Sequence, residues 1–282
     1  MEIIFILACI PLYIMNSFCD KYISTLNCKI TNIRYNLIKF AIGTVILLPF
    51  FLGDASKFQF GILLCGVLNG TILTISKVLM LYGYEQTSVA YMTLCHSSGL
   101  LLPCILGHFL WQEPLTPPAL FGILLVILSI LLLKDTGSKK QTSRIGILIG
   151  LIILMASGGV MVLQKVIGMQ FQGMGAEAFN FYGFISATLI LSCINCTEKR
   201  TIVNKKNILL CAAGSAISLC VISLVMTRMT STIPSVIMFP LFNGLGVILV
   251  TLLSAKIFKE KLTAKSGLGV LLGLFGLFLT NL

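Results

Sequence analysis

Lys77 stands in the run Ile75-Ser76-Lys77-Val78-Leu79, and a charge in such apolar surroundings needs a reason. A charged side chain at the centre of a lipid bilayer costs about 2.5–3.5 kcal/mol on insertion scales. Its ammonium therefore either reaches an interface along its aliphatic stem or faces a polar cavity, where it can hold an anion. Lys39, in Leu37-Ile38-Lys39-Phe40, offers the same two options. His96 is a titratable donor and acceptor on an apolar helix, and Asn243 follows it by 147 residues. Asn16, Asn180 and Tyr182 bring hydrogen-bonding groups into apolar segments, where each taken alone reads first as a bond between helices and second as a site residue. These seven residues are the candidate substrate-binding set, and their chemistry is recognition of a small molecule. Catalysis in a membrane needs converging groups, such as paired carboxylates or His-rich metal ligands. The two histidines, His96 and His108, share one predicted helix, and Asp20, Glu85 and Glu177 fall at predicted helix ends. No enzyme, catalytic residue, metal or cofactor is read. The in-span charges are then cationic, which favours a neutral, zwitterionic or anionic solute over a lipophilic cation.

The elements that must position these groups are membrane spans. The chain is 57% hydrophobic and 10% charged, with a mean hydropathy of +1.02, whereas soluble domains carry about 25% charged residues. About 20 apolar residues cross a bilayer core as a helix. Ten spans are predicted, at 3–20, 35–52, 60–82, 89–110, 118–133, 145–164, 176–194, 208–227, 234–255 and 265–281. The fold class is an all-α membrane protein whose surroundings are the lipid bilayer. Met1-Glu2-Ile3 opens without a basic region and no cleavage site follows, so the first segment is expected to stay as a span. The net charge of +11 reads as loop charge that sets orientation, not as a nucleic-acid surface. The loops after spans 1, 5, 7 and 9 hold 15 of the Lys and Arg residues, against Lys57, Lys165 and Arg228 on the other side. Alone, that asymmetry places both termini outside.

The same chain is a duplication. Shifted by 147 positions, residues 87–132 face 234–279 without a gap: Ser88-Val89 meets Ser235-Val236, Gly99 meets Gly246, Glu113-x-Leu115-Thr116 meets Glu260-x-Leu262-Thr263, and Gly122 meets Gly269. The copies are 1–137 and 138–282, with five spans each. An odd number per copy makes the second enter the bilayer upside down, an architecture that recurs in alternating-access transporters. His96 and Asn243 are then equivalent positions, expected near the pseudo-two-fold axis.

Tyr84-Glu85-Gln86-Thr87-Ser88-Val89-Ala90, then Trp111-Gln112-Glu113-Pro114-Leu115-Thr116 and a following span with Gly122, resemble EamA-type members of the drug/metabolite transporter superfamily. Lys259-Glu260-Lys261-Leu262-Thr263 and Gly269 repeat the pattern, and Lys39-Phe40 is similar to the family's Arg-Phe or Arg-Tyr step. The resemblance covers essentially the whole chain. It implies two five-helix repeats, a multi-pass protein of the cell membrane, and secondary transport of a small metabolite. It also implies cytoplasmic termini, opposite to the loop charges. A multidrug or cation exporter of the same superfamily and a non-transporting membrane partner protein are the alternatives. Substrate, direction, coupling ion and oligomeric state are open. Where the family carries Gly before the loop Glu, this chain has Gln112 and Lys259, and its nearest mid-helix prolines are Pro103 and Pro240.

Thr116-Pro117-Pro118 reads as a capped helix start, with Thr263 its counterpart. Glu113 and Glu260 are expected to accept loop amides or to face a positive helix N-terminus. Gly99, Gly122, Gly246, Gly269, Gly273 and Gly276 read as small residues that let helices approach in lipid. Tyr91, Trp111 and Phe239 are aromatic candidates to line a path. Cys193-x-x-Cys196 has redox or metal spacing but lacks a second pair or a nearby His, so it is not read as a site.

Overall fold

The computed structural model describes residues 2–25, 29–54, 58–86, 89–133, 144–172, 174–196, 205–257 and 264–279. Among these residues there are eleven helices and no strand. They are α1 (Glu2–Thr25), α2 (Lys29–Gly53), α3 (Phe60–Gln86), α4 (Val89–Ser98), α5 (Leu101–Trp111), α6 (Pro117–Leu133), α7 (Arg144–Gln170), α8 (Ala176–Cys196), α9 (Lys205–Met229), α10 (Ser235–Ile257) and α11 (Ala264–Leu279). A lipid-facing backbone must satisfy its own hydrogen bonds, which a helix does within one segment. Five stretches are long and apolar enough to cross a membrane: Ile33–Gly53, Phe60–Met80, Arg144–Gln170, Ala176–Asn195 and Lys206–Met229. Shorter apolar stretches are Ile4–Asp20, Pro117–Ser129, Ser235–Val250 and Gly267–Gly276. Large apolar side chains point outward on many helices, with Val45, Leu210 and Leu271 each about two-thirds exposed or more.

One predicted span differs. Residues 89–110 form two helices, α4 and α5, separated by a turn at Gly99 and Leu100. Pro103 explains the break: it has no N–H to give Gly99 O, and its ring clashes with the carbonyl four residues back. The chain tightens there instead, with Gly99 N–H donating to His96 O at 3.3 Å and Leu100 N–H to Ser97 O at 3.4 Å.

The chain divides into two compact units that do not follow the sequence halves. The first contains residues 1–81 and 163–232. In it α2 packs on α8 and α9, and α1 on α9. Phe40, Leu47, Phe184, Ala187, Leu191 and Cys220 form its core, with the Phe40 and Phe184 rings edge to face at 5.4 Å. Small residues set the spacing. A Cβ on Gly66 would stand 2.8 Å from Phe179 O, so α3 lies against the backbone of α8.

The second unit contains residues 82–162 and 233–282. Here α6 packs on α11, and α10 packs on α5, α6 and α11. A Cβ on Gly276 would stand 2.8 Å from Gly122 O, and one on Gly158 2.6 Å from Gly99 O. For Gly99, Gly122 and Gly276 the small-residue packing expected from sequence is what the helices show.

Candidate functional site

Asp20 is the centre of the first unit's polar interior. Predicted at the end of a span, it lies inside α1, which continues to Thr25. Its carboxylate accepts from Lys39 Nζ at 3.0 Å and from Tyr35 Oη at 2.6 Å. Lys77 Nζ stands 3.9 Å from its other oxygen. Ser215 of α9 donates to Tyr35 at 2.7 Å, since the tyrosine's one proton goes to Asp20. Tyr35 and Lys39 are one turn apart on α2, and the ammonium lies 4.8 Å from the Tyr35 ring centroid. The inference that the in-span charges are purely cationic is thereby corrected: two lysines converge on one carboxylate. Local charge is still positive by one. Lys39 is 1% exposed and its ammonium is engaged at hydrogen-bond length. Lys77 is 25% exposed and beyond hydrogen-bond length, so it has the spare donor capacity.

Asn16 sits one turn before Asp20 on the same face of α1. Its Oδ1 is buried with no hydrogen-bond partner, and the same holds for Ser76 Oγ beside Lys77. Buried polar atoms are nearly always bonded, so these two are exceptions on the helices that carry Asp20 and Lys77. The other two candidates of this unit have structural surroundings. Asn180 is fully buried. Its amide donates to Ala176 O at 2.7 Å and to Thr227 Oγ1 at 3.3 Å, and its oxygen accepts from Ser223, which clasps α8 to α9. Tyr182 is half-buried, its ring 5.3 Å from Phe51 and 6.1 Å from Phe181.

Two further charged groups depart from the sequence reading. Lys165, counted there as a loop residue, lies in α7, 2% exposed. It donates to Thr230 O at 2.8 Å, beyond the end of α9, where carbonyls left over by the helix favour a cation. Arg228 forms an ion pair with Glu177 at the rim of an open cavity of about 730 Å³. Asp54 lines the same cavity and caps α8 by accepting from Ala178 N–H at 3.1 Å.

In the second unit, His96 lies in the last turn of α4, beside the break at Gly99. Its carbonyl accepts from Ser157 Oγ of α7 at 2.8 Å. Asn243 of α10 is buried and donates to Phe239 O within its own helix at 3.0 Å. Phe239 is itself buried, Trp111 is half-buried, and the Tyr91 side chain lies outside the described residues, as do Thr87, Ser88, Glu260 and Thr263. Thr116 caps α6 as expected, accepting from Ala119 N–H at 3.3 Å. Glu113 does more than serve its own loop. Buried, it accepts from Ser235 N–H at 2.8 Å, the first residue of α10, so a carboxylate of one copy caps a helix of the other. Gln112 just before it is left-handed, φ 53°, which explains why glycine suits that position. Glu113→Gln keeps an acceptor but removes the charge from a helix N-terminus. It is expected to cost about 1–2 kcal/mol and to lower membrane abundance, with transport per molecule retained. Normal abundance with lost transport, measured side by side, would instead make Glu113 part of a gate.

No curated protein matches the chain. A solved structure titled "Crystal structure of protein" is similar to it at 12% identity, with a TM-score of 0.79, over 99% of this chain and 95% of that one. At that identity the likeness speaks for the fold alone. The model of the EamA-like transporter family matches twice, over residues 2–134 and 144–282. The paired motifs, the apolar helices and this double match agree, and the chain belongs to the EamA-like transporter family, as an integral membrane protein of the drug/metabolite transporter superfamily.

Proposed function

We propose that this protein is a ten-span secondary transporter of the cell membrane, moving a small neutral, zwitterionic or anionic metabolite by alternating access between two inverted five-helix repeats. Ten spans are supported by helices over all ten predicted segments, the fourth in two pieces. The repeat is supported by the pairing of equivalent helices within each unit, α2 with α8 in one and α6 with α11 in the other. A helix broken beside a candidate site is also a recurring feature of such proteins. The observation that carries the substrate class is the cluster of two lysines around Asp20. Its surplus positive charge favours an anion or the carboxylate of a zwitterion, and the loose 3.9 Å pairing of Lys77 with Asp20 supports Lys77 as its partner. Lys39, Asn16, His96, Asn243, Asn180 and Tyr182 complete the candidate set.

Asp20 also favours a second reading. A carboxylate in a membrane helix is what cation-exporting relatives use to exchange protons against a drug, and the first helix now has one. Two lysines oppose it, so the anion or zwitterion reading is preferred. A thermal-shift screen against amino acids, organic acids, sugar phosphates, nucleosides and quaternary amines separates the readings. A solute present at 100 times its Kd stabilises the folded state by about 2.7 kcal/mol. The expected hit is an anion or zwitterion whose shift disappears in Lys77→Ala. Hits confined to lipophilic cations would replace the proposal with the exporter. No hit, together with a stably bound protein partner, would favour a non-transporting role.

A further inference from the structure

Cys19 of α1 and Cys211 of α9 lie on two helices that pack against one another. The register of the two helices brings them together. On one side Asn207 Nδ2 donates to Tyr22 Oη at 3.1 Å. On the other, Met15 Cε stands 3.8 Å from where a Cβ on Gly214 would sit. Positions rising along α1 fall along α9, so the helices are antiparallel and Cys19 meets Cys211 between these two rungs. Cys211 also packs against the cluster of Ile23, Tyr35, Ile208 and Ala212, and Ile23 is one turn beyond Cys19 on α1. Both cysteines are free and half-buried.

From this geometry we infer that Cys19 and Cys211 are a disulfide-forming site that ties α1 to α9. A disulfide requires Cα atoms about 4.4–6.8 Å apart with side chains facing. Facing is met by the register, since the Tyr22–Asn207 and Met15–Gly214 rungs flank the pair and Cys211 packs on the cluster of Ile23, one turn from Cys19. In the reaction both S–H bonds break, the two thiols give up two electrons and two protons, and one S–S bond forms. Hydrogen peroxide, a two-electron thiol oxidant, takes them up and leaves as two waters. Cys19 lies six residues before the end of α1 and Cys211 six after the start of α9, so both thiols are about 9 Å from the same pair of helix ends. A small oxidant reaches that depth from the nearer face. The bond also falls beside the ion cluster, because Cys19 precedes Asp20 and Ser215 follows Cys211 by one turn. Oxidation therefore fixes the helix that carries the carboxylate, whatever the cluster binds.

The test uses full-length protein with Cys193→Ser and Cys196→Ser, which removes the competing pair. Diamide oxidises the folded protein, being reduced to its hydrazine as the disulfide forms. The protein is then denatured, its remaining thiols are alkylated, and it is digested for mass spectrometry. The expected result is a linked peptide pair containing Cys19 and Cys211, with alkylation at both falling at least ten-fold and recovering after dithiothreitol. In Cys19→Ala the linked pair is absent and Cys211 stays alkylatable; Cys211→Ala is the reciprocal control should that variant not fold. Full alkylation of both cysteines in oxidised, monodisperse protein would overturn the inference, as would a bond from either one to a different cysteine.

Discussion

Lys77→Ala is expected to reduce solute flux in proteoliposomes at least ten-fold while leaving the amount of folded protein in the membrane unchanged. Abundance should hold because the contact being removed is loose. At 3.9 Å and a quarter exposed, the Lys77–Asp20 pair is not a hydrogen bond, and partly exposed pairs of this kind contribute about 0–1 kcal/mol. Asp20 keeps Lys39 and Tyr35 as partners when Lys77 is gone. Flux should fall because Lys77 is the donor of the cluster with capacity to spare, and a solute carboxylate left without it faces an uncompensated desolvation cost. His96→Ala is expected to behave likewise. The backbone carbonyl of His96 that accepts from Ser157 Oγ of α7 is kept in this variant. The readout is flux of the solute class identified by thermal shift, normalised to reconstituted protein. Wild-type flux in both variants would show Lys77 to be a snorkelling residue and His96 a packing one.

Much of this architecture was legible in the sequence because membrane helices advertise themselves: apolar runs of fixed length, a duplication with no gap, and motif pairs at equal spacing. The Thr116 cap and the packing glycines were legible for a similar reason, since each depends on local chain geometry. Asp20 was not. Hydropathy ends a span at the first charge, whereas a helix ends where its backbone bonds run out, and α1 runs one turn further to Thr25. The same bias put Lys165 in a loop, although its neighbours continue α7 to Gln170. The break at Gly99 had a visible signal in Pro103, but the apolar pattern on both sides outweighed it. That Glu113 would cap a helix was readable; that the helix would be α10 of the other copy was not, because partner choice is a tertiary fact. Asn180 shows the converse limit. A buried Asn has the same appearance in sequence whether it awaits a solute or joins two helices, and only the fold reveals the bonds of Asn180 to Thr227 and Ser223.

Asp20→Asn isolates what the carboxylate does for the fold. Asparagine keeps an acceptor for Tyr35 and Lys39 but removes the charge, so Lys39, at 1% exposure, is left as a buried cation without its counterion. Breaking a buried pair by removing one partner costs about 3–5 kcal/mol. Asp20 is itself 32% exposed, so water recovers part of that and about 2–4 kcal/mol is the expected loss. The variant should therefore show a sharp fall in folded yield and in apparent melting temperature. Adding Lys39→Met removes the stranded ammonium and replaces it with an apolar chain of similar length. Because replacing both members of a buried pair by apolar groups is often neutral, the double variant should regain most of the lost stability. That recovery separates a charge effect from a packing effect, which Lys39→Met would only worsen. It also bears on mechanism. If the double variant folds and still gives a thermal shift with anions, Lys77 alone supplies the binding charge, and the Asp20–Lys39 pair is scaffold. If it folds but loses that shift while Lys77 is intact, Lys39 supplies part of the binding charge. Wild-type stability in Asp20→Asn alone would show that the buried ammonium does not depend on this carboxylate, and the ion cluster could no longer be treated as the organising feature of the unit.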